Sequence, residues 1–516
     1  MQTDCIQSLE IIIPNIFTRF GRAKEIAPKS GGRQIARDGY GVPMRMTHAQ
    51  MYSRLLASDA DYDGRFFTGV LTTGIYCLPS CRARKPKSEN VRFFQSAEAA
   101  RGAGLRPCRK CHPDDFALGA DPVLEAIETL VAEIRAEPAK FADAREIVRR
   151  SGYGTTRAIE LFKRHYHATP AEVLLDARVR NAKSLLLGKG GNVSDAAFSS
   201  GFESLSGFHE SFRRFTGLTP AAYRELRTAT EFDIALPPKP ALDELRHAMS
   251  RDVSSVSERL AGDDYELALN LGGNPAILKI HLDPEKVRVH CPKGTAIEAH
   301  GVAARILGLG QDSEAFERLA TRLGFSRLVS GGQGLRICQT PTAFDGLLWT
   351  IIGQQINLPF TFRLRRRLFE LAGTPVAGGL IAPPSPAQVA TLHPRQLLAL
   401  QFSRQKADYV IAVARLVAEG RLEPEAMREH SATRVERTLL GTRGLGPWSV
   451  NYIMMRSLGF SDCLPVGDTG VTSSLQKLMS LETRPDADAT RRLMSIFSPH
   501  RSLATAHLWR LLREKP

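Results

Sequence analysis

Two hydrophobic periods divide this chain. Leu278, Ile280 and Leu282 alternate with Lys279 and His281, Asp283-Pro-Glu-Lys286 reads as a turn, and Val287-Arg-Val289 resumes the alternation, so a β-hairpin is predicted. Farther on, the apolar positions recur at helical spacing. Helices are expected over 343–352, 360–372, 385–391, 394–400, 406–419, 433–440 and 491–496, broken by Pro/Gly stretches such as 373–384. A two-lobed helical body with a cleft between the lobes follows. From 438 to 474 the pattern is a glycine hairpin, a helix, a loop and one acid. Arg443-Gly444-Leu445-Gly446 puts two glycines into one connection, which suits positive φ angles, and Pro447 fits a first helical turn that tolerates its missing N–H. Trp448, Ile453 and Met454 keep helical spacing, and Gly459 stands where a C-cap glycine belongs. Amides at such a helix entry carry the positive end of the dipole, so a phosphate is a natural ligand. Asp468 follows in the loop Pro465-Val-Gly-Asp-Thr-Gly470.

Ahead of the hairpin, residues 121–227 are helical and contain a repeat. Ser151-Gly152-Tyr153, Phe162-Lys-Arg164 and Thr169-Pro-Ala171 recur as Ser200-Gly201-Phe202, Phe212-Arg-Arg214 and Thr219-Pro-Ala221. Each copy reads as helix, glycine turn, basic helix. The second helices present Thr155, Thr156, Arg157, Glu160 and Lys163, then Ser204, Ser206, His209, Glu210 and Arg213, as exposed-looking residues.

Composition adds scale and charge. At 516 residues the chain exceeds one core, and about 150 residues per domain suggests three or four domains. Lys+Arg 69 against Asp+Glu 54 leaves a formal +15, which points to a polyanion partner. No apolar run reaches the roughly 18 residues of a membrane span, and Ile11-Ile12-Ile13 is too short and badly flanked for a signal peptide. Residues 1–46 lack periodicity and read as a disordered leader or an upstream start, with Met44, Met46 or Met51 as alternative beginnings.

Four of the eight cysteines cluster as Cys77-Leu-Pro-Ser-Cys81 and Cys108-Arg-Lys-Cys111. Two close pairs at this separation suit one tetrahedral Zn²⁺; a disulfide pair or an iron–sulfur cluster are the alternatives, the first disfavoured in a reducing cytoplasm. A zinc-bound thiolate stays deprotonated and nucleophilic. Around it stand Arg82, Arg84, Lys85, Lys87, Arg106, Arg109 and Lys110, a basic setting for a nucleic-acid backbone.

Three resemblances gather these motifs. The run from 71 to 94, LTTGIYCLPSCRARKPKSENVRFF, resembles the N-terminal domain of the Ada-type alkylation-repair proteins. That implies one Zn²⁺ held by Cys77, Cys81, Cys108 and Cys111, structural and catalytic, with Cys77 also accepting a methyl group from DNA methylphosphotriesters; Leu78 stands where that family carries an arginine. The repeat resembles the AraC-type double helix-turn-helix, with Gly152 and Gly201 making the turns and Thr155, Arg157, Lys163, Ser204, Ser206, His209 and Arg213 facing DNA. From about 230 onward, Gly353-Gln354, Trp448-Ser-Val-Asn-Tyr452, Asp468 and His507-Leu-Trp509 together resemble the AlkA-type 3-methyladenine DNA glycosylases II. The implied roles are Asp468 as catalytic carboxylate, Trp448, Tyr452 and Trp509 as base pocket, and Arg443, Gly444, Gly446, Gln354 and Gln355 at DNA, with Gln355 at the wedge position.

The expected architecture is multidomain and mostly α. A leader (1–46), a small α/β zinc domain (47–120), an all-α double helix-turn-helix domain (121–227), an α/β subdomain (230–305) and a helix-hairpin-helix glycosylase domain (306–516) follow in order. No Pro-Cys-His-Arg acceptor motif occurs, so the O6-methylguanine transferase domain often joined to Ada-type N-termini is not expected. Position 448 is tryptophan where strand-cutting glycosylases carry lysine, and a C-terminal cysteine cluster for an iron–sulfur site is lacking, so a monofunctional glycosylase is implied. The expected partners are damaged and operator double-stranded DNA and RNA polymerase, with no membrane, in a cytoplasmic, nucleoid-associated protein. The rival reading is a catalytically inactive zinc-dependent transcriptional regulator, and Asp468 discriminates the two.

Overall fold

The computed structural model describes residues 46–59, 62–81, 83–117, 121–188 and 190–513. The expected leader, apart from Met46, and Arg82 lie outside the described residues. The chain divides into two compact units, 1–127 and 128–516.

The first unit is built on four short strands, β1 (Phe67–Val70), β2 (Ile75–Cys77), β3 (Val91–Phe94) and β4 (Arg106–Pro107), in the order β3-β1-β2-β4. β1 runs antiparallel to β2 and β3, while β2 and β4 are parallel with Tyr76 opposite Pro107. That parallel pair brings the ends carrying Cys77 and Cys108 side by side, closed by the Cys108 N–H donating to the Tyr76 carbonyl at 3.0 Å. Phe67, Tyr76, Leu78, Phe94, Ala97 and Ala100 form the core behind the sheet. Leu78 is thus an inward-facing core residue, which is why an apolar side chain follows Cys77.

The second unit opens with the repeat. Its helices are α1 (Ala144–Arg150), α2 (Thr155–Tyr166), α3 (Pro170–Leu187), α4 (Val193–Ser199), α5 (Leu205–Thr216) and α6 (Pro220–Glu225). The Thr-Pro-Ala copies are helix starts: Thr169 and Thr219 cap α3 and α6 with their hydroxyls, each followed by proline in the first turn. Gly152 (φ +71) and Gly201 (φ +87) turn the chain, and at Gly201 a Cβ would also lie 2.9 Å from the Ala139 Cα.

Next comes a five-stranded antiparallel sheet, β5 (Glu231–Ala235), β6 (Glu258–Ala261), β7 (Asp264–Leu271), β8 (Asn274–Leu282) and β9 (Lys286–His290), ordered β5-β9-β8-β7-β6. The predicted hairpin is β8–β9, with Ile280 opposite Val289 and Leu282 opposite Val287. This sheet shares one core with the repeat: Phe208, Phe212 and Tyr223 join Ile234, Leu278, Val289, Val302 and Ile306. Gly217 marks the seam, where a Cβ would meet the Ile234 side chain at 2.4 Å. The helix-turn-helix region and the following subdomain, read from sequence as successive domains, therefore belong to one compact unit.

The helical body includes α7 (Ala343–Gly353), α8 (Leu358–Ala372), α9 (Arg404–Ala418), α10 (Ala432–Leu440), α11 (Pro447–Ile453), α12 (Thr469–Leu478) and α13 (Arg501–Leu511) around a large apolar core. Several helices start before their apolar period does, because a capped polar turn precedes it: Ser403 starts the expected 406–419 helix at Arg404, and Asp486 starts the expected 491–496 helix at Ala487. Two others end earlier than expected, at Ala390 and Ala399. No helix among the described residues is long and apolar enough to cross a membrane.

Candidate active site and metal centre

Asp468 is the N-cap of α12. Its Oδ1 accepts from the Val471 N–H at 3.0 Å, so the carboxyl group sits at the positive end of that helix. Two indoles complete the arrangement: Trp509 Nε1 donates to Oδ1 at 2.9 Å, and Trp448 Nε1 donates to Oδ2 at 3.1 Å. Gly470 keeps the space open, since a Cβ there would stand 3.0 Å from both Asp468 Oδ1 and Trp509 Cδ1. All three side chains are partly exposed, so the acid is oriented by donors yet reachable.

The three residues predicted to stack a base are together. Trp448 and Tyr452 lie one helical turn apart on α11, with ring centroids 5.1 Å apart and planes 22° from parallel; Tyr452 and Trp509 are 6.0 Å apart. Trp448 and Trp509 do more than stack, because their N–H groups are spent on Asp468. Sequence reasoning missed Trp349, whose Nε1 donates to the Tyr452 hydroxyl at 3.0 Å. The chain holds only three tryptophans, but nothing in the sequence placed Trp349 beside the other two. A cleft beside Tyr452 is lined by Trp349, Phe362, Arg251, Arg456 and Asp345. Burial pushes the Tyr452 phenol up, but Arg456 and Arg251 outweigh it and leave its pKa below the ordinary value.

The hairpin differs from expectation at one glycine. Gly444 has φ +98 and lies against Tyr409, where a Cβ would be 2.6 Å from the ring. Gly446, by contrast, is the extended N-cap of α11 at φ −95, with open space around a Cβ. Only one of the two positions therefore demands glycine. No side chain caps the first amides of α11, and Arg443 is exposed beside the turn. Gln354, expected at DNA, instead turns into the protein: its Nε2 donates to the Gly444 carbonyl at 2.8 Å and to Ser449 Oγ at 3.0 Å. Gln355 is exposed at φ +57.

In the first unit the ligating sulfurs of Cys77, Cys81, Cys108 and Cys111 all lie within 4.8 Å of one another. Cys81 Sγ and Cys108 Sγ are 4.0 Å apart, close to the ~3.8 Å expected across a tetrahedron of ~2.3 Å zinc–sulfur bonds. Backbone amides of Leu78 and Lys110 donate to the sulfurs of Cys111 and Cys108, both at 3.4 Å. Ser80 binds Asp63 through both its amide and its hydroxyl, which fixes the loop between Cys77 and Cys81. Without a cation the crowded sulfurs share protons, hydrogen bonds with Cys111 and with each other pushing the Cys77 thiol up and the Cys81 thiol down. Four thiolates this close need a cation, and the donor set fits zinc.

Comparison with known proteins follows the same division. The model described as the metal binding domain of Ada matches residues 50–114, a helix-turn-helix domain matches 147–226, and the HhH-GPD superfamily of base excision DNA repair proteins matches 348–499. The bifunctional transcriptional activator/DNA repair enzyme AdaA of Bacillus subtilis is 30% identical over 182 residues, which is 35% of this chain and 85% of that protein. The chain belongs to the Ada family. It continues past AdaA, and a probable bifunctional transcriptional activator/DNA repair enzyme AlkA of Mycobacterium tuberculosis is 28% identical over 89% of this chain and 96% of its own length. A DNA-3-methyladenine glycosylase of Bacillus subtilis is 33% identical over 183 residues, 35% of this chain and 60% of that protein.

This Ada-family chain also presents the expected helix-turn-helix residues. Thr155, Thr156, Ser206, His209, Glu210 and Arg213 are exposed; Arg157 and Lys163 are half-buried, and Arg157 pairs with Glu160 at 3.4 Å. The Ser204 hydroxyl is committed to capping α5 through the Gly207 amide. The far end of α2 docks on the helical body, with His165 Nδ1 2.9 Å from Thr433 Oγ1 and the Asp462 amide donating to His167 Nδ1 at 3.1 Å.

Proposed function

We propose that this chain is a DNA alkylation-damage repair and response protein. Its glycosylase part excises N-alkylated purines of the 3-methyladenine type, Cys77 accepts methyl groups from DNA methylphosphotriesters, and the helix-turn-helix part binds operator DNA and contacts RNA polymerase. The observation that carries the excision reading is the Asp468 carboxyl group, held by two indole N–H donors and a helix N-terminus against an aromatic cluster.

As the N-glycosidic bond breaks, positive charge builds on the sugar and the electron pair leaves with the base. Asp468 faces that charge while water adds at the anomeric carbon. Alkylated purines leave readily because they already carry positive charge, and Trp448, Tyr452 and Trp509 offer faces for a flipped base. Asp468 is touched by indoles and an amide, which supports a monofunctional hydrolase.

Zinc held by Cys77, Cys81, Cys108 and Cys111 would keep the Cys77 sulfur a thiolate. That sulfur attacks the methyl carbon; a carbon–sulfur bond forms, the carbon–oxygen bond of the phosphotriester breaks, and its electron pair stays on phosphate as a diester anion. The described cysteines form no disulfide, which fits a nucleoid-associated protein in a reducing cytoplasm.

The test is Asp468→Asn assayed on methylated duplex. Free-base release should fall about a hundredfold or more while duplex binding survives. Release near the wild-type rate would leave the regulator-only reading in its place.

A further inference from the structure

We propose that Lys406 is a positioning residue that locks the Gln354–Gln355 loop to the DNA-anchoring hairpin, so that Gln355 is presented rigidly to the gap left by an extruded nucleotide. The inference rests on the glycosylase reading and on Gln355 as the wedge.

Helix α7 ends at Gly353, and the last carbonyls of a helix have no partners within it. Lys406 supplies them. Its Nζ donates to Gln354 O at 2.5 Å and Ile352 O at 2.6 Å, with Ile351 O at 3.4 Å, so one cation gathers the negative end of α7. Immediately after that knot the chain enters the left-handed region at Gln355 (φ +57), a conformation a glutamine adopts only where its surroundings fix it. On the far side Asn357 caps α8 through the Phe360 amide at 3.0 Å. The side chain of Gln354 is tied to Gly444 and Ser449, and the exposed Gln355 beside it has main chain fixed on both sides.

The same face of α9 supports the hairpin. Tyr409, one turn after Lys406, packs on Gly444, and Arg443 lies over its ring at 5.9 Å. Gln405 Nε2 donates to the Tyr409 hydroxyl at 2.9 Å. Loop and hairpin are therefore set by neighbouring residues of one helix, and the distance between wedge and phosphate anchor is fixed by α9. Loss of the Lys406 charge removes the donor to the Ile352 and Gln354 carbonyls, while Ile351 O keeps the Gln354 N–H, and lets the loop relax without removing any contact to Asp468, which lies on another helix.

The experiment compares full-length wild type, Lys406→Met and Lys406→Arg in single-turnover release of an N-alkylated adenine from two duplexes. In one the lesion faces thymine; in the other it faces an abasic site, where no pair has to be parted. Lys406→Met should lose about tenfold or more on the paired lesion and under about threefold opposite the abasic site, with Lys406→Arg recovering most of the loss. Equal losses on both duplexes, or none on the paired one, overturn the proposal. No release by wild type from either duplex overturns the glycosylase reading and this inference with it.

Discussion

Trp509 donates its indole N–H to Asp468 Oδ1 across 2.9 Å, joining α13 to the start of α12. A hydrogen bond to a charged group contributes about 1.5–3 kcal/mol. Trp509→Phe keeps an aromatic face and removes the donor. Base release should slow by roughly tenfold or more, with little change in duplex affinity; a variant as fast as wild type would mean that the ring alone matters.

The two hairpin glycines should respond differently. Gly444→Ala forces a Cβ at φ +98 into the Tyr409 ring, which should lower stability by about 1–3 kcal/mol and be visible as a lower Tm. Gly446→Val meets open space and should leave Tm nearly unchanged while crowding the exposed amides of α11. Duplex affinity of that variant is then the readout for phosphate anchoring, and unchanged affinity would reduce the hairpin to packing.

Methylation of Cys77 should act as an electrostatic switch. Two positive charges with four thiolates sum to −2, and a methylated sulfur leaves −1, so repulsion from DNA phosphates falls. At a partly desolvated contact a unit charge is worth on the order of a few kcal/mol, screened by salt. Duplex affinity of the methylated full-length protein should exceed that of the unmodified one at low salt, and the gain should shrink at high salt. Equal affinities at both salts would limit methylation to consuming the acceptor.

His300 is buried at the seam between the repeat and the sheet, its Nε2 2.7 Å from the Thr216 carbonyl. Burial lowers its pKa from 6.5 to about 4. The unfolded chain therefore binds a proton that the native state refuses between those values, so stability falls as pH drops from about 6.5 to about 4 and is unaffected by this group above 6.5. The full effect is on the order of 3 kcal/mol. Thermal melts from pH 7.5 to 4.5 should show this loss, and His300→Gln should flatten the slope.

The sequence by itself determined the parts whose information is local. A glycine at a forced positive φ, a threonine–proline helix start, two close cysteine pairs and an alternating hairpin each depend on neighbours a few residues away. Hence Gly152, Gly201, Gly444, the cysteine cluster and β8–β9 were legible, while the helix starts at Thr169 and Thr219 were seen only as a repeat. What only the tertiary structure decided depends on groups far apart in the chain. Leu78 faces a core because of Phe67 and Phe94, and Gln354 turns inward because Gly444 and Ser449 offer an oxygen each. Trp349 reaches Tyr452 and two indoles converge on Asp468 only once α7, α11, α12 and α13 have packed. Periodicity reports which side of an element is apolar, but which donor meets which acceptor is settled by packing, where most buried polar groups take a partner within reach.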